Sequence, residues 1–230
     1  MPLLEPFARD IWIASGPVVS TVGFRYPTRM AIIRLSDGGI FIWSPVAPSP
    51  ELRDEIDTLG PVRFLVAPNS LHHVFLPHWR AAYPAAILYA PPGLRERRKD
   101  IAFEADLGDE PPKAWAGQVD QVPVRGNRIT TEIVFFHRAS STVLFTDLIQ
   151  HFPKGWFKGW RAIIAGLDGM TGSRPQVPQK FRIAFADRKA ARESVKLILV
   201  WPAEKVLMAH ADPIRENGRA FIEQAFRWLG

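Results

Sequence analysis

The first half of the chain alternates short apolar runs with amphipathic stretches, a pattern typical of strands followed by helices. Residues 11–14 and 30–35 are apolar runs of strand length. Residues 36–39, Ser-Asp-Gly-Gly, form a turn sequence before another apolar run at 40–43, so we predict a β-hairpin there. A serine and a proline open the stretch 49–59, which predicts a capped helix.

The same alternation continues to the end of the chain. The first half adds a predicted buried strand at 62–67, a helix at 76–83, a strand at 86–90, a basic helix at 91–98 and a turn-rich surface region at 104–123. The second half predicts a hairpin at 129–137 and 142–146, an amphipathic region at 148–167, a helix at 186–199, a strand at 205–209 and a C-terminal helix at 218–229. This order predicts an α/β fold, a four-layer αββα sandwich, although periodicity alone equally allows a doubly wound sheet. No repeat or linker interrupts it, so we expect a single domain over residues 1–230.

The composition narrows the chemistry that the chain can perform. Cysteine is absent from the sequence, which excludes disulfides and thiolate ligands. Any bound metal must therefore use His, Asp or Glu side chains. The net charge of +6 is spread along the chain rather than concentrated in a basic stripe, so we do not expect a nucleic-acid partner.

The apolar segments are short. No run of about 18 apolar residues occurs, so we expect no membrane-spanning helix. The opening Met-Pro-Leu-Leu-Glu lacks the basic and apolar regions of a secretory signal. From these features we expect a cytoplasmic protein.

Candidate metal ligands lie where predicted strands end. His72 and His73 follow the strand at 62–67, Asp147 follows the apolar residues 143–146, and His210 follows the strand at 205–209. The carboxyl ends of strands in α/β sheets meet at one rim, where sites gather. Imidazole and carboxylate ligands suit zinc or iron, so we predict a metal site formed by these four side chains.

The order of elements and these residues resemble the metallo-β-lactamase superfamily. The first motif of that family is His-x-His-x-Asp-His. With His73 in its last position, the motif falls on Pro68, Ser70, His72 and His73. Two family histidines are therefore missing here, and a histidine stands in place of the family aspartate.

The resemblance extends to three later positions. The turn that carries the next family histidine corresponds here to Gly126-Asn127, so that ligand is missing as well. The bridging aspartate corresponds to Asp147 and the last histidine to His210. The resemblance thus implies that one metal of the usual pair is lost, while His72, His73, Asp147 and His210 hold the other.

Structural roles compete with this interpretation. Adjacent side chains such as His72 and His73 diverge on extended backbone and converge only from a loop or a helix start. In a purely structural role, His73 would hydrogen-bond backbone carbonyl groups and His72 would be exposed. Asp147 could cap a following helix instead. His210, at the end of an apolar strand, is ambiguous in the same way, and Asp212 could be the hydrogen-bonding partner that orients its ring.

Residues 152–161, Phe-Pro-Lys-Gly-Trp-Phe-Lys-Gly-Trp-Arg, interleave aromatic and basic side chains. Such a segment can lie at a membrane surface or stack on single-stranded nucleic acid. We favour a third interpretation, in which its aromatic side chains cover the mouth of a site or form a homodimer contact.

Two functional hypotheses follow. The first is a single-metal hydrolase, with a zinc or iron ion acting on a small-molecule substrate in the cleft. Its difficulty is that four protein ligands on zinc describe a closed, structural site. The second is a metal-free, non-catalytic descendant that uses the cleft as a binding or interaction module.

Overall fold

The first sheet is built from the N-terminal half of the chain. In the computed structural model, which describes residues 2–230, its seven strands follow chain order: β1 (Glu5–Ala8), β2 (Ile11–Thr21), β3 (Phe24–Arg34), β4 (Ile40–Trp43), β5 (Val62–Val66), β6 (Ile87–Ala90) and β7 (Ala105–Asp106). Strands β1 to β4 are antiparallel, and β4 to β7 are parallel. The parallel strands are joined through helices α1 (Pro50–Asp57), α2 (Leu76–Ala82) and α3 (Leu94–Arg97).

The second sheet has four strands in the order β11-β10-β9-β8. These are β8 (Val119–Val124), β9 (Glu132–His137), β10 (Thr142–Gln150) and β11 (Lys205–His210). Between β10 and β11 the chain forms α4 (Trp160–Leu167), α5 (Gln179–Ala184) and α6 (Arg188–Val200), and α7 (Gly218–Phe226) follows β11. Because β10 and β11 are parallel, both deliver their carboxyl ends to the same rim.

Three apolar cores separate four layers. Alternate side chains of β4 face opposite sides: Ile40 and Ile42 pack against the helices α1 to α3, whereas Phe41 and Trp43 pack against the second sheet. A third core fills the space between the second sheet and α5 to α7. This is the predicted αββα sandwich. Strand β4 is fully buried because both of its faces are covered, which explains why it appears in the sequence as an uninterrupted apolar run.

The structure corrects two predicted segments. Residues 104–123 are not only a surface region, because β7 and β8 lie within or at the end of it. The amphipathic region 148–167 is not continuous: β10 runs to Gln150, a loop follows, and α4 begins at Trp160. No helix among residues 2–230 has the length and apolar character needed to cross a membrane.

Candidate metal centre

Three of the four predicted ligands meet at the rim of the sandwich. His72 lies in the turn between β5 and α2, Asp147 lies in β10, and His210 is the last residue of β11. His72 Nε2 is 3.1 Å from Asp147 Oδ2, and His210 Nε2 is 3.5 Å from Asp147 Oδ1. The two Nε2 atoms are 3.2 Å apart. This is the one group of three or more potential metal ligands within residues 2–230, and it can hold a metal ion.

The hydrogen bonds of the two imidazoles fix which ring nitrogen carries a proton. His210 Nδ1 lies 2.9 Å from the carbonyl oxygen of Pro27, which can only accept, so Nδ1 donates. Ser44 Oγ donates to the carbonyl oxygen of Arg29 and therefore accepts from His72 Nδ1 at 2.7 Å. In the neutral rings both Nε2 atoms then present a lone pair to each other and to the Asp147 carboxylate. Three acceptors facing one another require a cation, either a metal ion or a proton.

Asn69 joins the turn that carries His72 to the strand that carries Asp147. Its side chain is fully buried. Asn69 Oδ1 accepts the backbone N–H groups of Leu71 (2.8 Å) and His72 (3.1 Å). Asn69 Nδ2 donates to Asp147 Oδ2 at 2.7 Å and to Thr146 Oγ1 at 2.9 Å. One amide therefore orients two of the three candidate ligands, which is the function of a second layer of hydrogen bonds around a metal.

Glu132 shapes the strand at Asp147. Strand β10 leaves its pairing with β9 after Leu144, and the fully buried Glu132 carboxylate then accepts the backbone N–H groups of Thr146, Asp147 and Leu148 at 2.7–3.0 Å. Burial, together with the nearby charge of Asp147, raises the pKa of Glu132 to about 7, against the effect of these hydrogen bonds. The side chain thus replaces missing ladder partners and turns Asp147 towards the histidines.

Asp147 is ionised in this environment. Burial of the carboxyl opposes ionisation, but the neighbouring imidazoles of His72 and His210 outweigh it and hold the pKa of Asp147 well below its ordinary value. Gln150 Nε2 donates to Asp147 Oδ1 at 3.1 Å. Asp147 does not cap a helix, because β10 continues beyond it and α4 begins only at Trp160.

His73 is not brought to the group. It follows His72 in the turn, so its ring projects elsewhere, and its Nδ1 is buried without a hydrogen-bond partner. Burial lowers the pKa of His73, and the charge of Arg98 lowers it further. The predicted set of four ligands is thereby reduced to three. Likewise Asp212 is not the partner of His210 Nδ1, which is bonded to Pro27.

The positions at which the family ligands are missing are occupied by structural hydrogen bonds. The Pro68 carbonyl oxygen accepts the N–H of Ile133. Ser70 Oγ lies 3.0 Å from Thr130 Oγ1, and Asn127 Nδ2 donates to the carbonyl oxygen of Phe181. None of these side chains supplies an imidazole or a carboxylate, so the part of the chain that the structure describes offers one metal position rather than two.

Aromatic side chains line the site next to His210. The rings of Tyr26 and His210 have centroids 5.6 Å apart, and Phe152 lies nearly parallel to His210 at 6.4 Å. Lys180 Nζ lies 3.3 Å from the Tyr26 hydroxyl and 3.4 Å from Gln150 Oε1. Phe152 of the 152–161 segment therefore packs beside His210, and Lys180 of α5 lies next to Tyr26 and Gln150.

Four residues of the site lie outside the set predicted from the sequence: Asn69, Glu132, Ser44 and Gln150. Glu132 carried a usable signal, because it is the one acidic residue in the otherwise apolar run Glu-Ile-Val-Phe-Phe. A carboxylate that must be buried needs partners, which points to a polar network. Ser44 lies directly after the buried β4 and carried the weaker signal of a strand end.

The sandwich of two sheets with a His- and Asp-bearing rim is the metallo-β-lactamase fold, and comparison with solved structures agrees. The chain is similar to DIM-1 metallo-β-lactamase exposed to ceftazidime, with 13% identity over 99% of this chain and 97% of that one and a TM-score of 0.64. It is similar to the mono-zinc form of metallo-β-lactamase FIM-1 from Pseudomonas aeruginosa, with 13% identity over 98% and 93% and a TM-score of 0.67. It is also similar to the metal-soaked Flv1 flavodiiron core from Synechocystis sp. PCC6803, with 12% identity over 98% of this chain and 60% of that one and a TM-score of 0.66.

Within this fold the chain belongs to a particular family. The model of the family described as a domain of unknown function, DUF4336, matches residues 18–158, more than half of the chain. The match includes His72 and Asp147 but ends before His210. No curated protein matches the sequence.

Proposed function

We propose that the chain binds one divalent transition-metal ion, zinc or iron, through His72, Asp147 and His210. The observation that carries the proposal is the convergence of two imidazole lone pairs and a carboxylate on one point. Zinc–nitrogen bonds of 2.0–2.1 Å in a tetrahedron place ligand atoms about 3.4 Å apart. The ligand atoms of this site are 3.1–3.5 Å apart, in agreement with that geometry.

The number of ligands favours a catalytic ion over a structural one. Structural zinc sites are closed by four protein ligands, whereas catalytic sites use three and keep a position for water or substrate. The loss of His73 from the set removes the difficulty of a closed site. Two histidines and one carboxylate are also the ligand set of non-haem iron sites with open positions.

We further propose that the reaction is hydrolysis of a small molecule in the cleft. A bound ion of this kind polarises a carbonyl or phosphoryl oxygen or activates water. The protein would contribute the fixed orientation of the ligands through Ser44, the Pro27 carbonyl and Asn69. Phe152 and Tyr26 would exclude water from the His210 side of the site.

The names of the similar structures support the choice of metals. One is a mono-zinc form and one is a flavodiiron core, so related folds are associated with zinc and with iron in those proteins. At 12–13% identity neither name assigns a substrate to this chain.

The alternative is a metal-free module in which a proton occupies the centre. Distances of 3.1–3.2 Å also fit one N–H of a protonated His72 Nε2 that is shared between Asp147 and His210. The hydrogen bonds that occupy the positions of the missing ligands favour a protein that no longer performs two-metal chemistry. In this hypothesis the cleft binds a ligand without transforming it.

Metal analysis separates the two functions. Protein purified without chelator or nickel resin is measured by mass spectrometry of elements, beside the double variant Asp147→Ala, His210→Ala. We expect about one zinc or iron per chain in the wild type and none in the double variant. The matched control is His73→Ala, which removes the adjacent imidazole and should keep the metal.

The functional test uses the same variants. Esters, thioesters and phosphodiesters are screened, and the activity found should disappear in His72→Ala and persist in His73→Ala. Circular dichroism checks that each variant is folded. A wild type that stays metal-free even in excess zinc and iron would refute the hydrolase and leave the binding module. Loss of metal in His73→Ala would show that His73 is a ligand after all.

A further inference from the structure

Helix α4 presents apolar side chains to solvent instead of to the core. Only Ala165 is buried in this helix, whereas Ile163 is 67% exposed and Leu167 77% exposed. Trp160 and Ile164 are also exposed. A surface helix normally turns its apolar stripe towards the protein, so this orientation is the reverse of the usual one.

The tip of the β2–β3 hairpin extends the same surface. Arg161 Nε donates to the Gly23 carbonyl oxygen at 2.7 Å, and the ring of Phe24 meets Trp160 at 5.9 Å. The hairpin therefore lies beside α4. We call the combined feature the hairpin–α4 surface, and its exposed apolar residues are Val18, Val22, Trp160, Ile163, Ile164 and Leu167. Several exposed apolar side chains on two elements in contact are typical of an interaction site.

The charges around the hairpin–α4 surface have one sign. Its basic side chains are Arg25, Lys154, Lys158 and Arg161, and none of them forms an ion pair with the residues that the structure describes. No acidic residue occurs in 11–36 or in 148–167. Asp168, directly after α4, is paired with Lys180 at 3.3 Å. The surface is thus apolar in its centre and positive around it.

We propose that the hairpin–α4 surface docks the protein on an anionic lipid bilayer. An apolar face with a tryptophan and flanking lysines is the combination that enters the interface of a bilayer, where the cations meet anionic headgroups. A second copy of the chain fits less well, because a two-fold contact would bring the same four cations against each other. Nucleic acid also fits less well, because stacking needs aromatic rings and most of the exposed apolar residues are aliphatic.

This docking does not depend on the metal. It explains why the aromatic side chains of residues 152–161 point in two directions. Phe152 and Phe157 are buried against the protein, whereas Trp160 is exposed. The buried rings hold the segment in place, and the outward side chains are free to enter a membrane interface. The mouth beside His210 is close to this segment, since Phe152 packs against both Phe157 and His210.

Vesicle flotation tests the proposal with the full chain. Binding is compared for phosphatidylcholine vesicles with and without phosphatidylglycerol, at low and at high salt. The apolar variant is Ile163→Ser, Leu167→Ser, and the charge variant is Lys154→Gln, Lys158→Gln. The matched control is Leu197→Ser, Val200→Ser on α6, where the two side chains are 59% and 77% exposed.

The wild type should bind anionic vesicles and should bind neutral vesicles weakly or not at all. High salt should release it from the anionic vesicles. Each cation near an anionic surface contributes a factor of about five to binding, so the charge variant should bind more than tenfold more weakly. The apolar variant should lose about tenfold or more, and the α6 control should bind like the wild type. All replaced side chains are exposed, so we expect every variant to fold, and circular dichroism checks this.

Three results would overturn the proposal. The first is equal binding of wild type to neutral and anionic vesicles, or no binding to either. The second is equal loss in the α6 control and the apolar variant. The third is a wild-type dimer in sedimentation analysis that the apolar variant abolishes, or a single-stranded RNA complex that displaces the vesicles.

Discussion

Asn69→Ala tests whether the hydrogen-bonded layer around the centre controls metal binding. The substitution removes four short hydrogen bonds, two that Asn69 Oδ1 accepts and two that Asn69 Nδ2 donates. The bond to ionised Asp147 contributes about 1.5–3 kcal/mol and each of the others about 0.5–1.5 kcal/mol. Water can replace the amide oxygen at the backbone N–H groups of Leu71 and His72, because this turn is near the surface. We therefore expect the free energy of unfolding to fall by about 3 kcal/mol.

Metal affinity should fall separately from stability. Loss of a partner that orients metal ligands typically costs 10–100-fold in affinity, and Asn69 orients both Asp147 and the His72 turn, so we expect a loss of about 100-fold. A competition titration against a coloured zinc chelator gives the dissociation constant, and urea unfolding of the metal-free protein gives the stability. The matched control is Ser70→Ala, which removes a buried hydroxyl next in sequence that does not touch the group.

The two measurements show whether Asn69 orients the metal ligands or only stabilises the fold. If Asn69→Ala loses stability as expected but binds zinc as tightly as the wild type, the proposed orientation of ligands by Asn69 is refuted. If Ser70→Ala weakens zinc binding to the same extent, the effect belongs to the whole turn and not to the Asn69 amide.

Two further variants probe the surroundings of the site, and a third probes a buried histidine at the other end of the second sheet. Glu132→Gln replaces one acceptor oxygen by an NH₂ group that faces backbone N–H groups. Urea unfolding should show that the free energy of unfolding falls by about 2–3 kcal/mol. An unchanged free energy would contradict the role of the carboxylate as acceptor for these N–H groups. Arg29→Ala removes a guanidinium that donates to the carbonyl oxygens of Met208 and Ala211, on either side of His210. It should lower the free energy of unfolding by about 2 kcal/mol and weaken zinc binding severalfold. Unchanged zinc affinity would show that His210 is held in place without Arg29. Burial lowers the pKa of His137, with the charge of Asp10 opposing, so the unfolded chain takes up a proton first and stability falls as the pH drops below about 6.5. The stability advantage of wild type over His137→Gln should therefore shrink between pH 8 and pH 5, and a constant difference would show that His137 does not titrate in this window.

The sequence predicts strands well where one face or both faces of the strand are buried over its full length. The apolar runs at 40–43, 62–67 and 205–209 are the strands β4, β5 and β11 within one residue at their ends. Strand β8 escaped prediction because its sequence, Val-Asp-Gln-Val-Pro-Val, contains polar residues and a proline. It lies at the edge of its sheet, where a missing N–H is tolerated, and edge position is decided by the topology rather than by local sequence.

The hairpin of β2 and β3 was underestimated for a different reason. Both strands extend to about residue 21–24, well beyond the apolar runs at 11–14 and 30–35. The outer part of β2 is mostly exposed and that of β3 mostly half-buried, so no clear alternation of buried and exposed side chains appears in the sequence. Its contact with α4 is made over more than 130 residues of sequence separation and leaves no local signal.

Three of four candidate ligands could be predicted because strand ends converge, a property of the fold class and not of any motif. That His72 enters the group and His73 does not could not be predicted, because it depends on the turn that Asn69 forms through its side chain. That turn also decides the chemistry of the proposed centre. With both imidazoles bound, the ion would be closed by four ligands, whereas the turn aims the His72 ring at Asp147 and keeps the half-buried His73 ring out of the group. The side chain of Asn69 thereby determines whether a metal in this site retains a position for substrate.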